Sequence, residues 1–135
     1  MPSRPLILVV AAALYDEHGR VLIAQRPAGR HMAGRWEFPG GKLHASESER
    51  AALTRELREE LGIEVAAARP FMRLKHAYED RDVELSLWIV ERFSGSPVCL
   101  DGQRLRWVAP LSLAAQDILE ADRPFVDALG TLPPP

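Results

Sequence analysis

Residues 41–63 read GKLHASESERAALTRELREELGI and follow directly on Phe38-Pro39-Gly40. Glu56, Glu59 and Glu60 fall within little more than one helical turn, with Glu47 upstream. In a helix, Glu56/Glu59 and Glu56/Glu60 are i,i+3 and i,i+4 neighbours, so their carboxylates share one face and repel one another. Clustered like charges of this kind stabilise a helix only if something positive sits among them. Oxygen-only ligands at short range suit a hard divalent cation, Mg²⁺ or Mn²⁺. The segment therefore predicts a metal-dependent site that handles phosphate.

Advancing each residue by about 100° around the axis puts Leu53, Leu57 and Leu61 in an apolar stripe. Glu56, Glu59 and Glu60 occupy an arc beside it, and Arg55 and Arg58 lie further round. The leucines are expected to dock the helix on a sheet and so hold the acids at the edge of a cleft. Arg55 stands four residues before Glu59 and is placed to hold that carboxylate by a charge-assisted bond. An E/R-rich helix can also be a solvated face laced with i,i+4 pairs. Such a face requires neither the preceding glycines nor the outlying Glu47.

The chain of 135 residues fits one domain, expected over residues 1–131, with a fraying Pro-rich tail at 132–135. A formal net charge of −2 gives no polyanion-binding surface, so polymeric nucleic acid is not an expected partner. Cys99 is alone, which excludes an intrachain disulfide and points to a reducing cytoplasm. Arg4 and the apolar run 6–14 resemble a leader peptide in outline, but the run is too short to span a membrane. Its β-branched residues and the turn Asp16-Glu17-His18-Gly19 favour the first strand of a hairpin.

Strands are expected at residues 6–15 and 21–25, then a Gly/Pro/Arg-rich loop at 26–35 and an extended piece at 36–38. Gly40 and Gly41 are expected to break regular structure ahead of the helix, whose start is marked by Ser46 and Ser48. Ser46-x-x-Glu49 has capping-box spacing, and Gly62 fits the helix stop. Strands at 71–78 and 83–93, joined by a polar turn, precede a strand at 105–108. A short helix after Leu111 and another at 124–129 close the chain. The class is α/β or α+β, a mixed sheet sandwiched between one long helix and a C-terminal one.

The spacing Gly41, five residues, Glu47, seven residues, Arg55-Glu56-Leu57-x-Glu59-Glu60-x-Gly62-Ile63 resembles the Nudix hydrolase signature at every specified position. Arg26, His31-Met32-Ala33, Glu37-Phe38-Pro39-Gly40-Gly41-Lys42, Trp88, Val90-Glu91-Arg92 and Gly102-Gln103 are similar to the MutT branch of that family, which sanitises the nucleotide pool. The resemblance covers essentially the whole chain. It implies the Nudix fold and Mg²⁺-dependent hydrolysis (Mn²⁺ being possible) of a nucleoside triphosphate to its monophosphate and pyrophosphate. The implied partner is a small-molecule nucleotide, met by a monomer, with a dimer as the alternative.

Carried onto this chain, the resemblance makes Glu59 and Glu60 the main metal ligands, completed by the carbonyl of Gly40. Glu56 would bind metal too, and would act as general base or orient the attacking water. Glu47 would support them through water or through Arg55. Asp101 matches the place of a further acidic ligand, though as a shorter acid, and an ordinary turn aspartate is its other reading. Arg26 and Lys42 would meet the phosphates.

His31 and Phe38 would line the nucleoside pocket, Phe38 being equally placed for the core. Asp122 falls where MutT has an asparagine that reads the purine edge. An ionised carboxylate only accepts hydrogen bonds, from N7–H of 8-oxoguanine or from the exocyclic amine of cytosine. Asp122 also stands where a helix N-cap is expected before Pro124. The expected substrate is 8-oxo-dGTP, with CTP or a modified dCTP as the alternative. A binding module of Nudix fold without catalysis is a separate possibility, which the intact set of glutamates disfavours.

Overall fold

In the computed structural model, whose residues 4–132 are described, strand β1 (Leu6–Leu14) is buried at every position from Val10 onward. A strand apolar on both faces belongs inside a layered structure. β1 pairs in parallel with β6 (Asp82–Ser94) and antiparallel with β4 (Gly40–Lys42). β5 (Glu64–Ala77) flanks β6, giving a mixed sheet of order β4-β1-β6-β5. A second, antiparallel sheet has β2 (Val21–Gln25) between β3 (Trp36–Glu37) and β7 (Leu105–Val108).

The two faces of β1 meet two different cores. Val10, Ala12 and Leu14 pack with Leu53, Leu57 and Leu61 of helix α1 (Glu49–Leu61). Ala11 and Ala13 join Leu85, Leu87 and Ile89 of β6 and pack with Phe125, Val126 and Leu129 of helix α2 (Arg123–Leu129). The leucine stripe is thus the docking face of α1, and the mixed sheet lies between the two helices. Short 3₁₀ turns at Pro110–Ala115 and Glu120–Asp122 carry the chain from β7 to α2. No helix among the described residues is long and apolar enough to cross a membrane.

Four local expectations are corrected. The turn after β1 forms, with the Asp16 carboxylate accepting from the backbone N–H groups of His18 and Arg20 at 2.9 and 2.8 Å. Beyond one Tyr15–Val21 bridge, however, β1 and β2 part into separate sheets and make no hairpin, because β4 and β6 occupy both edges of β1. Gly40 and Gly41 do not interrupt the chain but form β4, opposite Ala11 and Val10. A Cβ on Gly40 would run into the Val10 carbonyl, so glycine is what permits the close approach.

Ser48, rather than Ser46, caps α1, its Oγ accepting from the Ala51 N–H at 3.1 Å. No capping box forms, because Glu49 is turned toward β6. β5 starts at Glu64, well before residue 71, and its register shifts between Val65 and Met72 scramble the alternation that marks a strand. Gly62 ends α1 in the left-handed conformation as expected, with φ 70° and its N–H on the Arg58 carbonyl at 3.0 Å. The tail beyond Leu132 lies outside the described residues.

Candidate active site

Arg55 is the positive group that the clustered glutamates require. Its Nε and Nη2 donate to the two oxygens of Glu47 at 2.8 and 2.9 Å. Nη1 donates to Glu56 at 2.9 Å and to Glu59 at 3.3 Å, while Nη2 also reaches the Lys42 carbonyl at 3.1 Å. One guanidinium therefore ties the turn before α1, the strand β4 and two of the clustered acids together. Arg55, followed by the His44 N–H, holds the Glu47 carboxyl down at about 2. Of the two routes expected for Glu47, the direct one through Arg55 is present.

Glu60 faces the other way. It accepts from the Gly40 N–H at 3.3 Å, and burial pushes its carboxyl up to about 8, with Glu37, Glu56 and Asp101 adding repulsion. Asp101 reaches this neighbourhood because its loop caps α1: the Val98 and Leu100 N–H groups donate to the Leu61 and Glu60 carbonyls at 3.1 and 3.0 Å. A desolvated carboxylate with one N–H partner and acids around it is short of a cation. The donors are all oxygens, which fits Mg²⁺ or Mn²⁺. Among the described residues, no three acidic, His or Cys side chains yet converge as a finished metal cluster.

β4 makes the closest approach to these acids. A Cβ on Gly41 would run into the carboxyl of Glu56. Gly41→Ala is therefore expected to displace Glu56 and lower kcat by about a hundredfold, with far-UV circular dichroism unchanged. A kcat within twofold of the parent would show that Glu56 needs no such cradle.

The same strand lines a cavity of about 290 Å³ on the α2 side of the mixed sheet, the size of a small ligand site. Arg26, His31, Phe38, Lys42 and Asp122 all border it, so the residues expected at the phosphates and the base do come together. Arg26, however, is tied to the protein, donating to Glu37 at 2.7 Å and to the His31 carbonyl at 2.7 Å. Lys42 and Arg30 also border the cavity and have no side-chain partner among the described residues, which leaves their charge for an anionic ligand. Phe38 holds both expected places: it is 4% exposed, packs edge-on to Phe125 and borders the cavity.

Asp122 makes no helix-capping bond; its carboxyl is buried and accepts from the Phe38 N–H at 3.3 Å. Burial pushes it up to about 7, the Phe38 N–H opposing and Glu37 reinforcing that shift. A neutral acid at this place donates as well as accepts and so matches an amide.

The NUDIX domain profile matches residues 10–128. The chain belongs to the Nudix family. It is 38% identical to the CTP pyrophosphohydrolase of Escherichia coli K12 over 93% of either chain. It is also 35% identical to the 8-oxo-dGTP diphosphatase of that strain, over 92% of this chain and 96% of that one. A solved MutT, from work on the Aliivibrio salmonicida and Vibrio cholerae proteins, superposes with TM-score 0.82 at 32% identity. That match covers 93% of this chain and 97% of the other.

Four polar cavity residues of this Nudix protein carried no role assigned from the sequence: Arg30, within the Gly/Pro/Arg-rich loop, Glu37, Tyr78 and Arg81. Glu37 offered a signal, an acid set between Trp36 and Phe38 in an otherwise apolar extended piece. Tyr78 and Arg81 offered none, since the β5–β6 connection reads as a plain polar turn. In the fold that turn overhangs the cavity, with the Arg81 guanidinium 5.2 Å from the Tyr78 ring centroid.

Proposed function

We propose that this Nudix protein is a Mg²⁺-dependent MutT-like nucleoside triphosphate diphosphatase working in the cytoplasm. The carrying observation is β4: its residues touch the clustered acids through Gly41 and Glu56, and border the cavity that holds Asp122. A triphosphate seated with its base at Asp122 and its phosphates along Gly40, Gly41 and Lys42 would present its anhydride to α1. Glu59, Glu60, Glu56, Asp101 and the Gly40 carbonyl would hold Mg²⁺, or Mn²⁺. A bound divalent ion neutralises phosphate charge and makes a bound water more acidic.

In this reading Glu56 takes a proton from the attacking water or orients it. Water oxygen bonds to phosphorus, the bridging P–O bond breaks, and the monophosphate and pyrophosphate leave. Arg55 keeps Glu56 and Glu59 in place and is itself held by Glu47. Lys42 meets the phosphates as a point charge, joined by Arg30, while Arg26 positions Glu37 and the loop at His31. His31 and Phe38 wall the base.

The substrate we propose first is 8-oxo-dGTP, whose N7–H finds an acceptor in Asp122. The second reading, CTP or a modified dCTP, is favoured by Asp122 and Glu37 together, two acids facing a base that offers an exocyclic amine. All four box glutamates stand, which speaks against a binding module. A panel of 8-oxo-dGTP, dGTP, CTP and 5-substituted dCTP compared by kcat/KM tests the proposal. Metal-dependent pyrophosphate release is expected, with 8-oxo-dGTP leading. A lead for CTP would transfer the assignment to the pyrimidine, and no turnover of any triphosphate would refute the enzyme reading.

A further inference from the structure

Among the described residues the buried polar or charged ones are Asp122, in the cavity, and Ser86, on the α1 side of the mixed sheet. Ser86 exists there for one partner. Its Oγ donates to Oε1 of Glu49 at 2.5 Å, and Nε1 of Trp88, two residues along β6, donates to the same oxygen at 3.0 Å. The other oxygen of Glu49 is paired with Arg73, which stands opposite Ser86 on β5. Glu49 is the first residue of α1, so a directional anchor joins the start of the helix to the middle of the sheet.

The leucine stripe cannot supply that direction. Apolar contact is non-directional, and Leu53, Leu57 and Leu61 would still be buried after a small slide or roll of α1. The C-terminal end has its own directional bonds, from Val98 and Leu100 to the last carbonyls. At the N-terminal end the bonds run through Glu49. Two residues earlier stands Glu47, in a turn closed by its bonds to and from His44 at 3.1 and 2.9 Å. Glu47 holds Arg55, and Arg55 holds Glu56 and Glu59.

We propose that Glu49 is a positioning residue, which through Ser86 and Trp88 fixes the start of α1 and thereby the Glu47–Arg55 pair that orients Glu56 and Glu59. The inference rests on the proposed roles of those two acids, and its test therefore includes a readout independent of turnover. Glu49→Gln keeps an oxygen for Ser86 and Trp88 and gives up only the exposed pair with Arg73, a kind of contact that contributes little. Glu49→Ala removes everything.

Mn²⁺ binding by electron paramagnetic resonance is expected to weaken about tenfold in Glu49→Ala, with kcat falling as much and KM nearly unchanged, while Glu49→Gln stays close to the parent. The effects of Glu49→Ala and Glu47→Gln are expected to be non-additive in a double-mutant cycle, since both act through Arg55. Should Glu49→Ala fail to fold, Ser86→Ala and Trp88→Phe, each removing one donor, take its place with intermediate losses of Mn²⁺ affinity expected. Unchanged Mn²⁺ binding in a folded variant, equal losses for Gln and Ala, or strict additivity with Glu47→Gln would each overturn the proposal. Loss of the enzyme reading alone would instead show as an inactive parent that still binds Mn²⁺ in a Glu49-dependent way.

Discussion

Glu60→Gln is expected to lower kcat by at least about a thousandfold, the rate equivalent of several kcal/mol of charge stabilisation in the transition state. The amide has the shape of the acid and can still accept from the Gly40 N–H, so the backbone of β4 has no reason to move. What disappears is the negative charge facing the proposed metal. That charge is also one the metal-free fold tolerates poorly, as burial and the nearby Glu37, Glu56 and Asp101 push the Glu60 carboxyl up to about 8.

Removing it should leave the melting temperature of the metal-free protein equal to or above the parent's, while Mn²⁺ affinity falls. Lost activity together with retained or improved stability is the mark of a carboxylate kept for chemistry. Steady-state kinetics and thermal unfolding on the same preparation decide the matter. If kcat stays within tenfold of the parent, Glu60 is not a principal ligand.

The second large effect belongs to Asp122→Asn, and it depends on pH. The carboxyl of Asp122 has an ordinary value of 3.8 and is raised to about 7 by burial in the fold. Between those values the folded state holds a proton that the unfolded state has released, so stability falls as pH rises. The contribution is fully present below about 3.8 and has gone once pH passes about 7. Its full span is roughly 4 kcal/mol. Asn carries no such dependence, so the variant should gain on the parent as pH is raised from 4 to 8, as measured by denaturant unfolding.

Base preference should follow the same titration. Below about pH 6 the parent's neutral acid and the variant's amide present similar donors and acceptors, and their ratios of kcat/KM for 8-oxo-dGTP against CTP should agree. Above pH 8 the parent presents a charged acceptor, and the two ratios should part by about tenfold or more, the worth of a hydrogen bond to a charged group. Taking a ratio of substrates cancels the titration of the catalytic acids. A parent-to-variant comparison that stays flat across this range would remove Asp122 from base recognition.

Much of this protein is local and was legible as such. The 3.6-residue period set Leu53, Leu57 and Leu61 on one face, Gly62 marked the helix end, and the spacing of Glu47, Glu56, Glu59 and Glu60 carried the resemblance to the Nudix family. These features depend on residues within two or three turns of each other, where the helix supplies the geometry. The fold class followed from the order of such segments. Bulges hid the first half of β5, and the brevity of β4 hid that strand, because register shifts and glycines erase the alternation by which strands are read.

Tertiary structure alone decided the partners. Asp122 meets Phe38 across 84 residues, Glu49 meets Ser86 and Trp88 across 37 and 39, and Arg26 turns to Glu37 rather than lying open. It also pushes the Asp122 carboxyl up, since a carboxyl's affinity for its proton depends on burial and neighbours that residue type does not state. The sequence by itself determined a helix bearing Glu56, Glu59 and Glu60 on one arc beside its leucine stripe. Only the packing of distant strands decided which groups hold that helix in place and what face the cavity offers a base, because hydrogen bonds and desolvation act between residues that chain order keeps apart.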